Sequence, residues 1–417
     1  MSTQTQLQAQ TAANSQDQTI HIRRKPELLN DYEKNTDAIV NGLQTVSLET
    51  YNQLKYPQWA PTWDRKDQGA FHHLKPFKHI DRGLFGDPEF KNLLADMNVI
   101  SKPISPNLGT VIEGIQLSQL TDKQKDDLAL LVEQRGVVVF RGQDFKDLPF
   151  DDITSWGKYF GPLHVHPTTG TPAGQPYFHM IIRRAKADEQ QTHLNNRLNT
   201  IGWHSDVTYE PQSPAITLLT MLQTSVGGDT QFIDLVTAYE RLSPQFQSLI
   251  GNLKVVHSSV GQADRSRAND GVQRKTDIES IHPLVRYHPV LKKKYLFLNK
   301  GFATRILGFK HEESEFLLNF MKKHIETLLD AHIRANWDEQ TVVVWDNRRV
   351  IHTATHDWDN ANLRHGFRLT TLGERSTSSK EEYDSWTPEL EAERLKYKAD
   401  ALNATPAEYY ENFAEKV

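Results

Sequence analysis

The apolar residues of this chain fall into short runs cut by turns, and that pattern most restricts the folds open to it. VVVF at 137–140, TVVVW at 341–345, and residues 216–222, 231–233, 294–299 and 366–370 each have the length and composition of a strand. Residues 108–117 read as short strands joined at a glycine, and GGDT at 227–230 reads as a turn. No strand leads into GxGxxG and no GxxxxGK[ST] occurs, so a doubly wound nucleotide-binding sheet is excluded. A mainly β fold with flanking helices is expected.

Helical signals are fewer. Thr121 offers a cap to residues 122–134, where Leu128, Leu131 and Val132 share a face, and Gly136 ends the run. Residues 150–160, 236–242, 244–249, 390–402 and 409–413 are also expected to be helical. Residues 311–332 carry the clearest pattern, with Phe316, Leu317, Phe320, Ile325, Leu328 and Leu329 at three- and four-residue steps. Residues 262–280, QADRSRANDGVQRKTDIES, are charged and rich in turn formers, so a mobile surface loop is expected there.

These signals divide the chain. Residues 1–18, rich in Gln, Thr, Ser and Ala, are expected to be a disordered tail. Residues 19–100 hold aromatics, as in YPQWAPTWDRKDQGAFHHLKPF, and are expected to pack on the core as an ordered extension. The main domain is expected at 101–375 and a C-terminal helical extension at 376–417.

Cysteine is absent, which excludes disulfides, zinc–cysteine sites, iron–sulfur clusters and cysteine nucleophiles. With 48 Lys and Arg against 53 Asp and Glu, no basic surplus points to nucleic acid or an anionic membrane. No apolar run approaches the roughly 18 residues of a membrane span. The start, MSTQTQLQAQ, has neither the basic end nor the apolar centre of a secretory signal. A cytoplasmic protein is expected, with no nucleic-acid or membrane partner.

The chemistry is sought among the 18 histidines. In GWHSDVTYE, His204 and Asp206 are two residues apart, so an extended backbone would aim an imidazole and a carboxylate the same way. A second histidine would complete a two-histidine, one-carboxylate set, which suits non-haem Fe(II) and leaves positions open for ligands. His257, His282, His288, His352, His356 and His365 are candidates; His352 stands out because it follows a buried-looking strand. Arg364 and Arg368 lie in a strand-like segment, where a buried charge needs a partner. Their planar forks suit one or two oxyanionic ligands, or a surface ladder with acidic partners.

FGPLHVHP (160–167), WHSDVTYE (203–210), GGDTQF (227–232), IHPLVRYHPV (281–290), LFLNKGFATRI (296–306), WDNRRVIH (345–352) and RHGFR (364–368) together resemble a known family. It is the TauD/TfdA-type Fe(II)- and 2-oxoglutarate-dependent dioxygenases, above all the fungal alkylsulfonate (taurine-type) enzymes. The resemblance spans residues 100–375 and implies a double-stranded β-helix, a cupin-like jelly roll, as the catalytic domain at 101–375. It implies that His204, Asp206 and His352 bind iron. Thr230 and Arg364 would hold the distal carboxylate of 2-oxoglutarate, with O2 as the second cosubstrate. His166 and Arg368 would grip a sulfonate, and the WDNR residues would serve as scaffold.

Two positions depart from the taurine-enzyme pattern. Thr200 stands where an asparagine is expected, with Asn199 beside it, and Tyr209 replaces a phenylalanine at the substrate. The implied reaction hydroxylates the carbon next to the sulfonate of a small anionic organosulfur substrate, releasing sulfite and an aldehyde with succinate and CO2. An alkylsulfate enzyme releasing sulfate, or an oxygenase of a carboxylate, is the alternative. A homo-oligomer, dimer or tetramer, is expected from the resemblance.

Overall fold

Period-two alternation in the valine-rich strands splits their side chains between two layers. Val137 and Val139 pack with Val343 and Trp345 on one side, while Val138, Phe140, Val342 and Val344 pack on the other. This arrangement is seen in a computed structural model that describes residues 38–183, 202–268, 271–358 and 362–417. The tail expected at 1–18 lies outside the described residues.

The core strands, in chain order, are β1 (Ile100–Pro103), β2 (Thr110–Glu113), β3 (Val137–Phe140), β4 (His179–Arg183), β5 (Pro214–Gln223), β6 (Thr230–Asp234), β7 (His332–Ala335), β8 (Val342–Asp346), β9 (Val350–Ala354) and β10 (Arg364–Leu372). A seven-stranded sheet runs β1-β2-β3-β8-β5-β10-β4, and a three-stranded sheet runs β7-β6-β9. Every pairing is antiparallel except that of β2 with β3. Leu219, Met221, Val343 and Trp345 of the larger sheet meet Phe232, Ile333 and Val350 of the smaller one in a shared buried cluster. The two sheets therefore close face to face, as the jelly-roll expectation requires.

Helices cover the outer faces. α1 (Asp122–Arg135) and α2 (Phe150–Lys158) pack on the larger sheet. Thr121 caps α1 as expected, through a reciprocal capping box with Gln124. α3 (His311–Glu326) covers the smaller sheet through Leu318, Met321 and Ile325. It is shorter than the expected 311–332. Residues 332–335 pair instead with β6, Ile333 opposite Phe232, so sheet bonding overrides the helical pattern. Phe316 and Phe320 lie on the exposed side of α3.

The described part of the N-terminal extension is tied to the larger sheet by Trp59. Its ring stacks on Phe367 at 4.2 Å and meets Phe178 edge-on. Burying such an aromatic is worth about 1.5–3 kcal/mol.

The mobile loop expected at 262–280 is corrected by its burial. Val260–Ala268 is a helix, and Arg274 is fully buried. The Arg274 guanidinium donates to Asp67 at 3.0 Å and to the Thr169 carbonyl, locking this segment to the extension. A charge that would read as solvent-facing is instead paired inside. Among the described residues no helix is long and apolar enough to cross a membrane.

Candidate active site

One edge of β9 pairs with β6, and its other edge receives residue 204. The His204 N–H donates to the His352 carbonyl at 3.0 Å, and the His352 N–H returns the bond at 2.8 Å. The two histidines are thus cross-strand neighbours, with ring centroids 4.3 Å apart. The extended stretch expected at GWHSDVTYE ends there. The chain turns after Asp206, and Val207 adopts φ +39°. A β-branched residue in that region costs about 1–3 kcal/mol, so surrounding bonds must hold the turn. Ser205 Oγ donates to the Val350 carbonyl at 2.9 Å, and the Asn347 side chain holds the Asp206 backbone.

Asp206 Oδ1 lies 3.5 Å from His204 Nε2 and 3.6 Å from His352 Nε2. One ligand atom from each of the three side chains falls within 4.8 Å of the others. His204 Nδ1 bonds to the Gly202 carbonyl at 2.7 Å, which places its proton there and leaves Nε2 free to ligate. Burial and the neighbouring His204 push the His352 imidazole down to about 3, so it stays neutral. Burial would raise the Asp206 carboxyl, but Arg368 and His352 hold it below the usual range. Its Oδ2 is buried without a hydrogen-bond partner. Two imidazoles, one carboxylate and an unused carboxylate oxygen fit Fe(II).

Among the described residues, two other clusters have ligand-like spacing: His79, Asp81 and Glu374, and Glu133, His288 and Asp346. Both surround the fully buried Arg348. Its guanidinium donates to Asp81 at 2.6 Å, Asp346 at 2.8 Å, Glu133 at 2.8 Å and Glu374 at 2.9 Å. A fixed cation already occupies the middle, so these clusters read as structural. Burial and the adjacent Asp81 raise the Glu133 carboxyl well above its ordinary range, so it keeps a proton.

Arg364 opens β10 and is buried against the glycine turn before β6. Gly228 has φ +64°, and a Cβ there would overlap the Arg364 guanidinium. Burial pushes this guanidinium down to about 10, with Asp229 and Asp357 opposing, and its Nε lacks a hydrogen-bond partner. Thr230 Oγ1 accepts the Trp337 indole N–H at 3.2 Å, so its own hydroxyl proton is free to donate elsewhere. A buried arginine short of a partner and an oriented hydroxyl suit a carboxylate.

Arg368 lies four residues further along β10. Its Nη1 donates to Asp206 Oδ1 at 2.6 Å and its Nη2 to His179 Nδ1 at 2.8 Å, while Nε is buried without a partner. The surface-ladder alternative for the two arginines is therefore excluded by their burial. His166 is buried 4.4 Å from His179, ring to ring. His164 turns away, with Nε2 bonded to Glu210 at 2.8 Å, so of the two only His166 stands beside Arg368's partner His179.

The other sequence candidates divide clearly. His288 bonds Asp346 at 2.6 Å, His365 bonds the Trp59 carbonyl at 3.0 Å, and His257 bonds Thr208 at 2.8 Å; His282 meets His257 edge-on. His356 packs near Trp358. Tyr209 is buried beside Phe302, with its hydroxyl donating to Gln262 at 2.7 Å. Asn199 and Thr200 lie outside the described residues. His179 and Trp337 were missed by the sequence reading. Neither has a local signal, since each gains its place from a cross-strand or inter-sheet neighbour.

Residues 101–370 match the model of the "Taurine catabolism dioxygenase TauD, TfdA family". The chain is 42% identical to a Saccharomyces cerevisiae protein described as "Alpha-ketoglutarate-dependent sulfonate dioxygenase", over 82% of this chain and 84% of that one. It is 37% identical to the Penicillium expansum "Alpha-ketoglutarate-dependent dioxygenase cnsP", over 84% of this chain and 95% of that one. Among solved structures, a taurine dioxygenase from Burkholderia xenovorans superimposes with a TM-score of 0.53 at 26% identity, covering 67% of this chain and 93% of the other. With its matched segment spanning both sheets and all three clustered ligands, the chain belongs to the taurine catabolism dioxygenase TauD, TfdA family.

Proposed function

We propose that this protein is an Fe(II)- and 2-oxoglutarate-dependent dioxygenase that hydroxylates the carbon next to the sulfonate of alkylsulfonates or taurine. The observation that carries the reading is the His204–Asp206–His352 cluster beside two buried arginines with separate surroundings. The description of the yeast relative as a sulfonate dioxygenase supports the substrate class.

His204, Asp206 and His352 would hold the iron. Bound iron with 2-oxoglutarate and O2 supplies the oxidising power that turns C–H into C–OH, with succinate and CO2 as co-products. The chain supplies position. Arg364 and Thr230 would fix the distal carboxylate of 2-oxoglutarate. Arg368 and His166 would fix the sulfonate, setting the adjacent carbon toward the triad. Tyr209 and Asn199 belong to the same proposal as contacts to the organic part. The product carries hydroxyl and sulfonate on one carbon. Loss of the hydroxyl proton, with the C–S electron pair leaving on sulfur, gives an aldehyde and sulfite.

We take the catalytic unit to be 101–375, between the N-terminal and C-terminal extensions. Assembly as a dimer or tetramer and a cytoplasmic location belong to the same reading. Light scattering and fractionation test them.

Relatives described as an alkylsulfatase from Acinetobacter baylyi and a sulfate ester dioxygenase from Pseudomonas putida are 29% and 28% identical. The purified, ferrous-reconstituted protein should therefore be given 2-oxoglutarate, oxygen and matched alkylsulfonates, taurine and alkylsulfates. Sulfite from the sulfonates is expected. Sulfate from the esters alone would move the assignment to alkylsulfates.

A further inference from the structure

Outside the triad, three nitrogen-bearing side chains meet in one corner, with Arg368 and His166 buried and His179 half-buried. Arg368 and His179 are directly opposed across the β10–β4 ladder. Arg368 can only donate, so its 2.8 Å bond to His179 Nδ1 fixes that nitrogen as the acceptor. A neutral His179 ring then carries its proton on Nε2. His166 is set in the same way. Its Nδ1 faces the backbone N–H groups of Thr168 at 3.3 Å and Thr169 at 3.2 Å, both of which can only donate. Its proton therefore also sits on Nε2. Burial, then the Arg368 charge, lowers both imidazoles well below their ordinary range, so neither takes a second proton.

The corner thus holds two imidazoles 4.4 Å apart ring to ring, of which His179 presents an oriented Nε2–H, and a guanidinium whose Nε–H is buried and unpartnered. A carboxylate presents two oxygens in one plane. A sulfonate presents three, fanned around a tetrahedral sulfur. Arg368 and His166 account for two of them. We propose that His179 is a substrate-binding residue that donates its Nε2–H to the third sulfonate oxygen and so sets the preference for sulfonate over carboxylate. This inference rests on the sulfonate reading above.

Its test uses the full chain loaded with Fe(II) and 2-oxoglutarate, without oxygen. Calorimetry measures the affinity for an alkanesulfonate and for the alkanecarboxylate of equal length, in wild type, H179A and H179Q. Loss of one hydrogen bond to a charged group corresponds to about 10- to 100-fold. H179A is expected to weaken the sulfonate by that factor and the carboxylate less than about 3-fold by the same reasoning. H179Q, which restores an N–H at similar reach, is expected to recover part of the loss, and H179F, which keeps a ring without a donor, replaces H179A if H179A does not fold. The sulfonate KM should rise with 2-oxoglutarate KM unchanged.

Equal weakening of both anions would overturn the proposal, because His179 would then only prop Arg368. A sulfonate affinity left unchanged in H179A would overturn it too, while leaving sulfite release by the wild type intact. Wild-type protein that binds no sulfonate and releases no sulfite would overturn the functional reading itself, and this inference with it.

Discussion

Asn347 grips the backbone of Asp206 from both sides. Its Oδ1 accepts the Asp206 N–H at 2.7 Å, and its Nδ2 donates to the Asp206 carbonyl at 3.1 Å. The residue sits in the turn between β8 and β9, so the turn that leads to His352 also fixes the carboxylate opposite it. Replacing Asn347 by Ala removes both bonds and frees a turn already strained at Val207. Iron affinity should fall about 10- to 100-fold, the usual loss when a ligand's support is removed. Equilibrium Fe(II) titration checks this, and kcat at saturating iron should stay within a few-fold of wild type. Unchanged affinity would mean the turn holds itself.

Removing a ligand outright is the sharper version. His204→Ala or Asp206→Ala should abolish turnover at low ferrous concentration. Full activity of either purified variant would dismantle the triad assignment.

Gly228 lies where any side chain would strike Arg364. Gly228→Ala should displace the guanidinium and raise the 2-oxoglutarate KM by about 10-fold or more, the cost of a lost charge-assisted pair. The sulfonate KM should move little. Steady-state kinetics with each substrate varied separately decides it.

Arg368→Ala should do the reverse, raising the sulfonate KM far more than the 2-oxoglutarate KM. The assay needs saturating iron, because Arg368 also bonds Asp206 at 2.6 Å. Equal effects on both KM values would mean that the two arginines are wrongly divided.

Arg348 is fully buried among four carboxyl groups drawn from the extension, α1, β8 and the segment after β10. Arg348→Met leaves those acids without their cation and should cost about 3–5 kcal/mol. Denaturant unfolding would show it as a lower midpoint. A change below about 1 kcal/mol would mean that the acids simply take up protons when the cation is lost.

Much of the scaffold could be read directly. VVVF and TVVVW are β3 and β8, and the Thr121 cap with Gly136 brackets α1, because these signals are local and agree with the packing. His204, Asp206 and His352 lie together as the family likeness implied. What escaped was set by distant partners. His179 acquires its meaning only opposite Arg368, 189 positions away in sequence. Arg274 lies in a stretch that looks solvated, yet Asp67 and a backbone carbonyl satisfy it inside the protein. The apolar pattern of α3 ran on past Glu326 because β7 also needs apolar residues, and period alone does not separate the two.

The central claim is that one site couples 2-oxoglutarate oxidation to C–S cleavage. The direct measurement is the ratio of sulfite to succinate formed by the iron-loaded protein under oxygen, with an alkylsulfonate in excess. The account predicts one sulfite per succinate, and none when iron, 2-oxoglutarate or oxygen is omitted. Succinate formed without sulfite would contradict it, leaving an oxygenase whose substrate is not a sulfonate.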